Sequence, residues 1–432
     1  MMRTPTDTVE TEAARSNRED LRTLFPPEQG VYQLSIGAPD ALSLRDAKTL
    51  VERASADRLA ENDAFLLMQY GPSAGDGRFL RALSAFIHRQ DQRNHYAKPS
   101  QNLMLTTGVT GGIGLLLSTF MSPGDIVYTE ELTFFLQLTA MQEDLRLSPR
   151  GVALDSHGLD TDVLERELRS NAPSGNKHSA FNAAVYVIPD HHNPSGSTLS
   201  DERREHLAAL AAEFNLLVLS DDVYRFIKYD DQSSNRPVPL VELNERAGNR
   251  IASVSSFTKL LCPGMRVGWI ESSADMIKRL SSAGLVMSGG SPNHFGSGIL
   301  TRLLETRDLD RYLTGLLKRY KRRKEVLARE LERSLPAHSE VDEPGGGFFI
   351  LICLPCSCAE VDGALVEEAK RKAGVNFAPA IAFVPVQRAE GTRMANRMQR
   401  MLRVSFCFLE EDELVEAARQ LGSFLRSKCE CM

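Results

Sequence analysis

The chain has 432 residues, of which 42% are hydrophobic and 25% charged, and carries a formal net charge of −6. These are ordinary values for a soluble globular protein, and the length exceeds what one hydrophobic core organises, so a larger and a smaller domain are expected. A mildly acidic chain with interspersed signs has no general attraction to nucleic acid or anionic membrane, and no apolar run approaches the roughly 20 residues that span a bilayer.

Residues 1–30 are polar and partly acidic, without the pattern of a secretory leader, and read as a flexible arm on a cytoplasmic protein. An extended segment, Tyr32 to Gly37, stops at Gly37-Ala38-Pro39-Asp40. From about residue 75, Phe79-Leu80, Leu83 and Phe86-Ile87 recur at helical spacing, and Leu103-Met104-Leu105-Thr106-Thr107 is a short apolar strand. Similar runs at 125–128, 184–188, 216–220 and 251–254, with helices such as 201–214 between them, lack inside/outside alternation. Such strands belong to a mainly parallel sheet covered on both faces, the α/β class.

The stretch 305–334 reads as a long amphipathic helix whose basic run, Lys318, Arg319, Lys321, Arg322 and Arg323, is a solvated face. Gly345 to Leu351, a helix near 360–373, a strand at 402–406 and a last helix from about 411 make a compact α+β domain. The expected division is 31–60 as an N-terminal segment of the small domain, 61–310 as the large domain and 311–432 as the C-terminal small domain. The seven cysteines, Cys262, Cys353, Cys356, Cys358, Cys407, Cys429 and Cys431, are odd in number and scattered, which points to reduced thiols. No second pair with zinc-finger spacing accompanies Cys353, Cys356 and Cys358, and no metal is expected. Cys429-Glu430-Cys431-Met432 formally fits a prenylation box, with Glu430 a poor aliphatic substitute.

Four segments carry reactive chemistry. Lys259 follows a buried-looking strand among hydroxyls, Ser255-Ser256-Phe257-Thr258, and lies near Arg266. Desolvation and a neighbouring cation favour its neutral amine, the form that attacks a carbonyl. Asp221, Asp222 and Tyr224 end an apolar strand, where open α/β sheets bind ligands. The turn Thr107-Gly108-Val109-Thr110 joins a strand to a helix and suits an anion. His191-His192-Asn193-Pro194-Ser195-Gly196 is a turn, and adjacent histidines without a helical partner do not suggest metal.

In this order the segments resemble the class I/II aminotransferases, a fold-type-I family that uses pyridoxal 5'-phosphate (PLP). Ser256-Phe257-Thr258-Lys259 followed by Pro263-Gly264-Met265-Arg266-Val267-Gly268 is similar to the family's lysine motif. The resemblance implies that Lys259 holds PLP as a Schiff base and acts as general acid/base, with Ser256 and Arg266 on the phosphate. It makes Asp221, in D-x-x-Y, the partner of the ring nitrogen, with Asp222 a competitor, and Tyr224 a donor to the ring oxygen. Asn193, in N-P-x-G, becomes a second partner of that oxygen and lies near substrate. Gly108, Val109 and Thr110 would cradle the phosphate, Val109 through its backbone N–H only. Phe134 would stack on the ring, in a segment where Leu132 replaces the usual proline.

Arg403, in Leu402-Arg403-Val404-Ser405-Phe406, would clamp the substrate carboxylate, and Gly37 would admit substrate close to backbone. Tyr70 would reach the phosphate of a neighbouring subunit, which presupposes a homodimer. Asp40 and the 288–293 loop are candidate specificity elements, while His191 and His192 fall outside the motif. The implied activity is transfer of an amino group from an α-amino acid to a 2-oxo acid. Lyases, cyclases and β- or γ-replacement enzymes use the same lysine, and a ligand-sensing regulator would need a DNA-binding domain for which 30 residues are too few.

Overall fold

The computed structural model describes residues 30–91, 99–229, 237–385, 387–388 and 395–429. Nearly all of the expected N-terminal arm and the end of the prenylation box therefore lie outside the described residues. The centre of the molecule is an eight-stranded sheet. Its strands are β1 (Leu103–Thr106), β2 (Ile126–Glu130), β3 (Ser148–Val152), β4 (Ala183–Val187), β5 (Leu216–Asp221), β6 (Ile251–Ser256) and β7 (Gly268–Glu271), with Gln387–Arg388 at one edge. From that edge the order is Gln387–Arg388, β3, β2, β4, β5, β6, β7, β1. All pairs are parallel except those of β7, which runs antiparallel to both neighbours. Every residue of β4, β5 and β6 is buried, which explains their uninterrupted apolar character.

Helices α1 (Ala41–Leu59), α2 (Gly77–Asp91), α3 (Val109–Phe120), α4 (Asp201–Phe214), α5 (His294–Glu305), α6 (Asp308–Ser334) and α7 (Glu411–Arg426) frame the sheet and its C-terminal neighbour. Ser200 caps α4 by accepting from the Arg203 N–H, and Asn215 ends it in the left-handed conformation at φ 54°. The second sheet is antiparallel, in the order Glu340–Val341, β8 (Phe349–Cys353), β9 (Met401–Ser405), Ala378–Pro379. The N-terminal segment runs beside it: Tyr32–Gln33 forms a separate parallel pair with Val375–Asn376, and the Ser405 N–H donates to the Leu34 carbonyl at 2.7 Å. No described helix is long and apolar enough to cross a membrane.

Three expectations need correction. The N-terminal segment is strand only at Tyr32–Gln33 and turns at Leu34–Ser35, with the Leu34 N–H still donating to the Asn376 carbonyl at 2.9 Å. Arg323 is no part of a solvated face: its side chain is 1% exposed and bridges Asp40 and Glu410, whereas Arg319 and Arg322 pair at the surface with Asp46 and Glu411. Cys358 and Cys429 are not separate thiols but a disulfide, formed where the turn at Pro355–Cys358 runs antiparallel to the chain leaving α7. Cys262, Cys353, Cys356 and Cys407 are free.

Candidate active site

A cavity of about 390 Å³ opens at the carboxyl ends of the parallel strands, where β5 delivers Asp221 and β6 delivers Ser256. Just past β6 the chain turns sharply because the Ser256 hydroxyl accepts from the Thr258 N–H at 3.1 Å and donates to the Val267 carbonyl at 3.0 Å. That turn projects Lys259 into the cavity, where its Nζ donates to the Gly37 carbonyl and lies 5.4 Å from the centre of the Phe348 ring. Burial, with help from the Arg403 and Arg266 charges, holds the amine below its ordinary pKa against the opposing pull of Cys407 and Asp221. The neutral nucleophile is thereby favoured.

The two carboxylates at the end of β5 part company. Asp221 lines the cavity and accepts a 2.7 Å hydrogen bond from the Tyr186 hydroxyl, and burial pushes its pKa up to about 7. Asp222 turns the other way, to the hydroxyls of Ser220 and Ser253 and to Arg225 at 3.9 Å, with burial raising its pKa to about 6. Tyr224 and Phe134 also line the cavity.

At one end, Val109 and Thr110 open α3 beside Ser256, Thr258 and Arg266. Gly108 stands before them at φ 91°, and a Cβ there would lie 3.0 Å from Arg266 Nη2 and 3.6 Å from Ser256 Oγ. Glycine is thus favoured by conformation, and a Cβ would crowd the Arg266 guanidinium. At the other end is Arg403, buried between the rings of Phe349 at 3.8 Å and Phe383 at 4.8 Å. It donates to Asn193 Oδ1 at 2.7 Å and to the Ser35 carbonyl at 2.6 Å, its Nε has no partner, and no carboxylate among the described residues pairs with it. Burial lowers its pKa to about 10, which leaves it charged at neutral pH. Gly37 completes this end: a Cβ there would sit 2.3 Å from Phe349 Cζ.

The expected residues therefore converge, apart from three features. Tyr70 is 78% exposed and away from the cavity of its own chain. Asp40 is not a specificity element, since it is buried, caps α1 through Ser43 and pairs with Arg323 at 2.8 Å. The 288–293 loop does not line the cavity either; the Asn293 amide instead donates to the Met265 carbonyl. His192 hydrogen-bonds Ser195 Oγ at 2.8 Å within the turn that carries Asn193, and His191 packs beneath Gly346 and Gly347. Tyr186, Ser35, Phe349 and Phe383 were not singled out in the sequence. The available signals were a tyrosine inside a fully buried strand, whose hydroxyl must find a partner, and aromatics beside a glycine run.

A cavity with a carboxylate at one wall, an amine at its centre, a helix N-terminus with hydroxyls and a guanidinium at one end and a second, unpaired guanidinium at the other fits PLP together with a substrate carboxylate. Fold and site thus define an α/β enzyme of the PLP-dependent type. The family model for aminotransferase class I and II matches residues 29–421, and the chain belongs to that family. It is 27% identical over 372 residues to aromatic-amino-acid aminotransferase 1 of Thermococcus litoralis, covering 85% of this chain and 82% of the relative. Among solved structures, a multiple substrate aminotransferase from Thermococcus profundus superposes with a TM-score of 0.78 at 22% identity, covering 98% of this chain and 96% of that one. The kynurenine aminotransferase of Pyrococcus horikoshii superposes with a TM-score of 0.77 at 24% identity, covering 99% and 98%. The chain is accordingly an aminotransferase, which moves an amino group from an amino acid to a 2-oxo acid, and the family implies PLP as cofactor.

Proposed function

We propose that the cavity at Lys259 carries this transamination and takes α-amino acids with apolar side chains. PLP, when bound, supplies an electrophilic carbonyl and a ring that stores the electrons left on the substrate Cα. Asp221 would hold the ring nitrogen, Tyr224 and Asn193 the ring oxygen and Phe134 the ring face. Gly108, Val109, Thr110, Ser256 and Arg266 would hold the phosphate. Lys259 Nζ would be the nucleophile toward the cofactor carbonyl and, as neutral amine and as ammonium, the group that takes up and returns the substrate proton.

The observation that carries the reading is Arg403, a buried guanidinium without a carboxylate partner across the cavity from a lysine held toward its neutral form. A buried cation without its anion is costly, and the two oxygens of an amino acid's α-carboxylate would meet two of the N–H groups that Asn193 and Ser35 leave free, Nε among them. The side-chain preference rests on Ile36, Phe135, Leu136 and Val223, which line the same space. The cavity's other arginine, Arg266, is beside the phosphate cradle, so a second carboxylate finds no spare cation among the described lining residues. The relative from Thermococcus litoralis is named for aromatic amino acids, in accord with an apolar side-chain site.

The active unit in this reading is a homodimer. Phe65, Met68, Tyr70, Leu285 and Met287 are each more than 60% exposed, and the Gly71–Ser291 bridge ties their two segments together. Large exposed apolar groups on one face suit a second copy, which would receive Tyr70 at its phosphate.

The test is a panel of amino acids with the PLP-loaded protein and a 2-oxo acid acceptor. Phenylalanine and leucine should yield their 2-oxo acids one for one, without ammonia, at higher kcat/KM than aspartate or glutamate. Ammonia release, or a cyclised product, would assign a different reaction to the same lysine. A preference for glutamate would overturn the side-chain assignment alone.

A further inference from the structure

The mechanism uses Asp221 but not the residue that touches it from the side away from the ligand. Tyr186 stands on β4, beside β5, with its backbone opposite Leu219. Its side chain is completely buried, and its hydroxyl donates to Asp221 Oδ2 at 2.7 Å. Among the described residues, the other oxygen, Oδ1, accepts only a long 3.4 Å contact from the Val223 N–H. One lone pair of Asp221 is therefore fixed from below, which leaves the carboxylate oriented toward the cavity it lines.

We propose that Tyr186 is a positioning residue for the ring-nitrogen end of the site: its O–H pins Asp221 and keeps that carboxylate charged to receive a protonated pyridine nitrogen. The inference rests on the role assigned to Asp221 above.

The need for such a donor follows from the surroundings. Burial works against the Asp221 charge, and so do the carboxylates of Asp222 and of Glu130 at the end of β2. The Glu130 oxygens are already engaged, accepting from the Ile188 N–H at 2.7 Å and the Thr133 hydroxyl at 2.9 Å, with His192 Nε2 3.7 Å away. Asp222 has its own hydroxyls and Arg225. Across the cavity, Lys259 is held toward its neutral form and lends Asp221 little positive charge. Tyr186 is thus the side-chain donor that opposes this accumulation, and a phenol that donates a hydrogen bond to a carboxylate makes a charge-assisted bond. The hydroxyl stays protonated, since burial and the Asp221 charge push its pKa well above the usual value.

A tyrosine that served only to fill space between strands would have the same burial, so the test isolates the ring nitrogen. Apoprotein is titrated with PLP and with the 1-deaza analogue, in which C–H replaces the ring nitrogen, and binding is followed by fluorescence quenching. Tyr186→Phe should weaken PLP about tenfold or more, the loss of a hydrogen bond to a charged group, while leaving the affinity for the analogue unchanged. In the Asp221→Asn background, where no charge remains to support, the same substitution should cost nothing. Equal weakening of both ligands, or no weakening of either, would overturn the inference. If Tyr186→Phe does not fold, the Tyr186→Phe/Asp221→Asn pair should fold, because it removes the stranded charge; its failure would show a packing role and also overturn the inference. An Asp221→Asn protein that still prefers PLP over the analogue would instead remove the underlying reading of Asp221.

Discussion

A guanidinium stacked between two phenyl rings, with a carbonyl and an amide as its hydrogen-bond partners, reaches a low free energy only when an anion completes its shell. Arg403→Lys keeps the charge but loses the planar fork and the ring stacking, so KM for the amino acid should rise about 10- to 100-fold, the equivalent of roughly 1.4 to 3 kcal/mol. PLP affinity should be unchanged, and steady-state kinetics with an apoprotein titration checks both. Gly37→Ala acts at the same end by another route. Its Cβ would enter the Phe349 ring position, so that ring must leave its place on Arg403 and KM should rise again. These residues differ in how legible they are. Lys259, Asp221, Asn193 and Arg403 stand in short local patterns whose chemistry is visible in a few residues. Tyr186 lies 35 positions before its carboxylate partner, and Phe349 and Phe383 meet Arg403 only through the small sheet and its following turn. Their roles depend on strand register, which no local pattern states.

At the scale of elements, the substrate-facing loop 35–38 is held by the start of α1, the middle of α6 and the start of α7. Asp40 caps α1 through the Ser43 N–H at 2.9 Å, Glu410 and Glu413 form a capping box on α7, and Arg323 of α6 reaches both Asp40 and Glu410. Its Nη1 also donates to the Cys407 carbonyl at 3.3 Å, just past the strand that carries Arg403. Asp40→Ala removes a cap, worth about 1 kcal/mol, and leaves a buried guanidinium with one carboxylate fewer, worth about 3 to 5 kcal/mol. A large loss in urea or thermal unfolding is expected, with Asp40→Asn milder because the amide still caps. A loss under 1 kcal/mol for Asp40→Ala would show that Glu410 alone satisfies Arg323. The helices α4 and α6 were evident from apolar spacing and caps, but the pairing that buries Arg323 was not. In the sequence, Arg323 is one basic residue in a run of them, and only the crossing of α6 with the two chain ends separates it from Arg319 and Arg322. The strands β3 and β7 were likewise hidden: Ser148-Pro149-Arg150-Gly151-Val152 has no apolar run, and Gly268–Glu271 is short and antiparallel.

Two features act on the molecule as a whole. The Cys358–Cys429 disulfide joins residues 71 positions apart and fastens the chain beyond α7 to the small sheet's outer loop. Constraint of so long a loop in the unfolded chain is worth about 4 kcal/mol in the chain-entropy model, so a reductant or Cys358→Ser should lower Tm, and peptide mapping without reduction should recover the linked pair. The second feature is pH. Asp221 and Asp222 have folded pKa values raised to about 7 and about 6 from the usual 3.8, both through burial, so the folded apoprotein binds more protons than the unfolded chain between those limits. Their contribution to stability is fully present below about pH 4 and is lost as pH rises through 6 and 7. Asp190 works in the opposite sense. Although its burial is unfavourable, Arg204 holds its pKa down to about 2, so its contribution is present above 3.8 and lost only as pH falls through 2, outside the same window. Between pH 4.5 and 7.5 these buried carboxyls of β5 should therefore reduce apoprotein stability as pH rises. Asp222→Asn keeps polar groups for Ser220 and Ser253 and leaves Arg225 with Asp91 and Glu271, so it removes the titration while preserving most of the surroundings. Calorimetry of the two apoproteins across that range should show the variant's Tm rising relative to the wild type as pH increases. Parallel curves would mean that Asp222 titrates alike in the folded and unfolded chains and that its burial imposes no protonation.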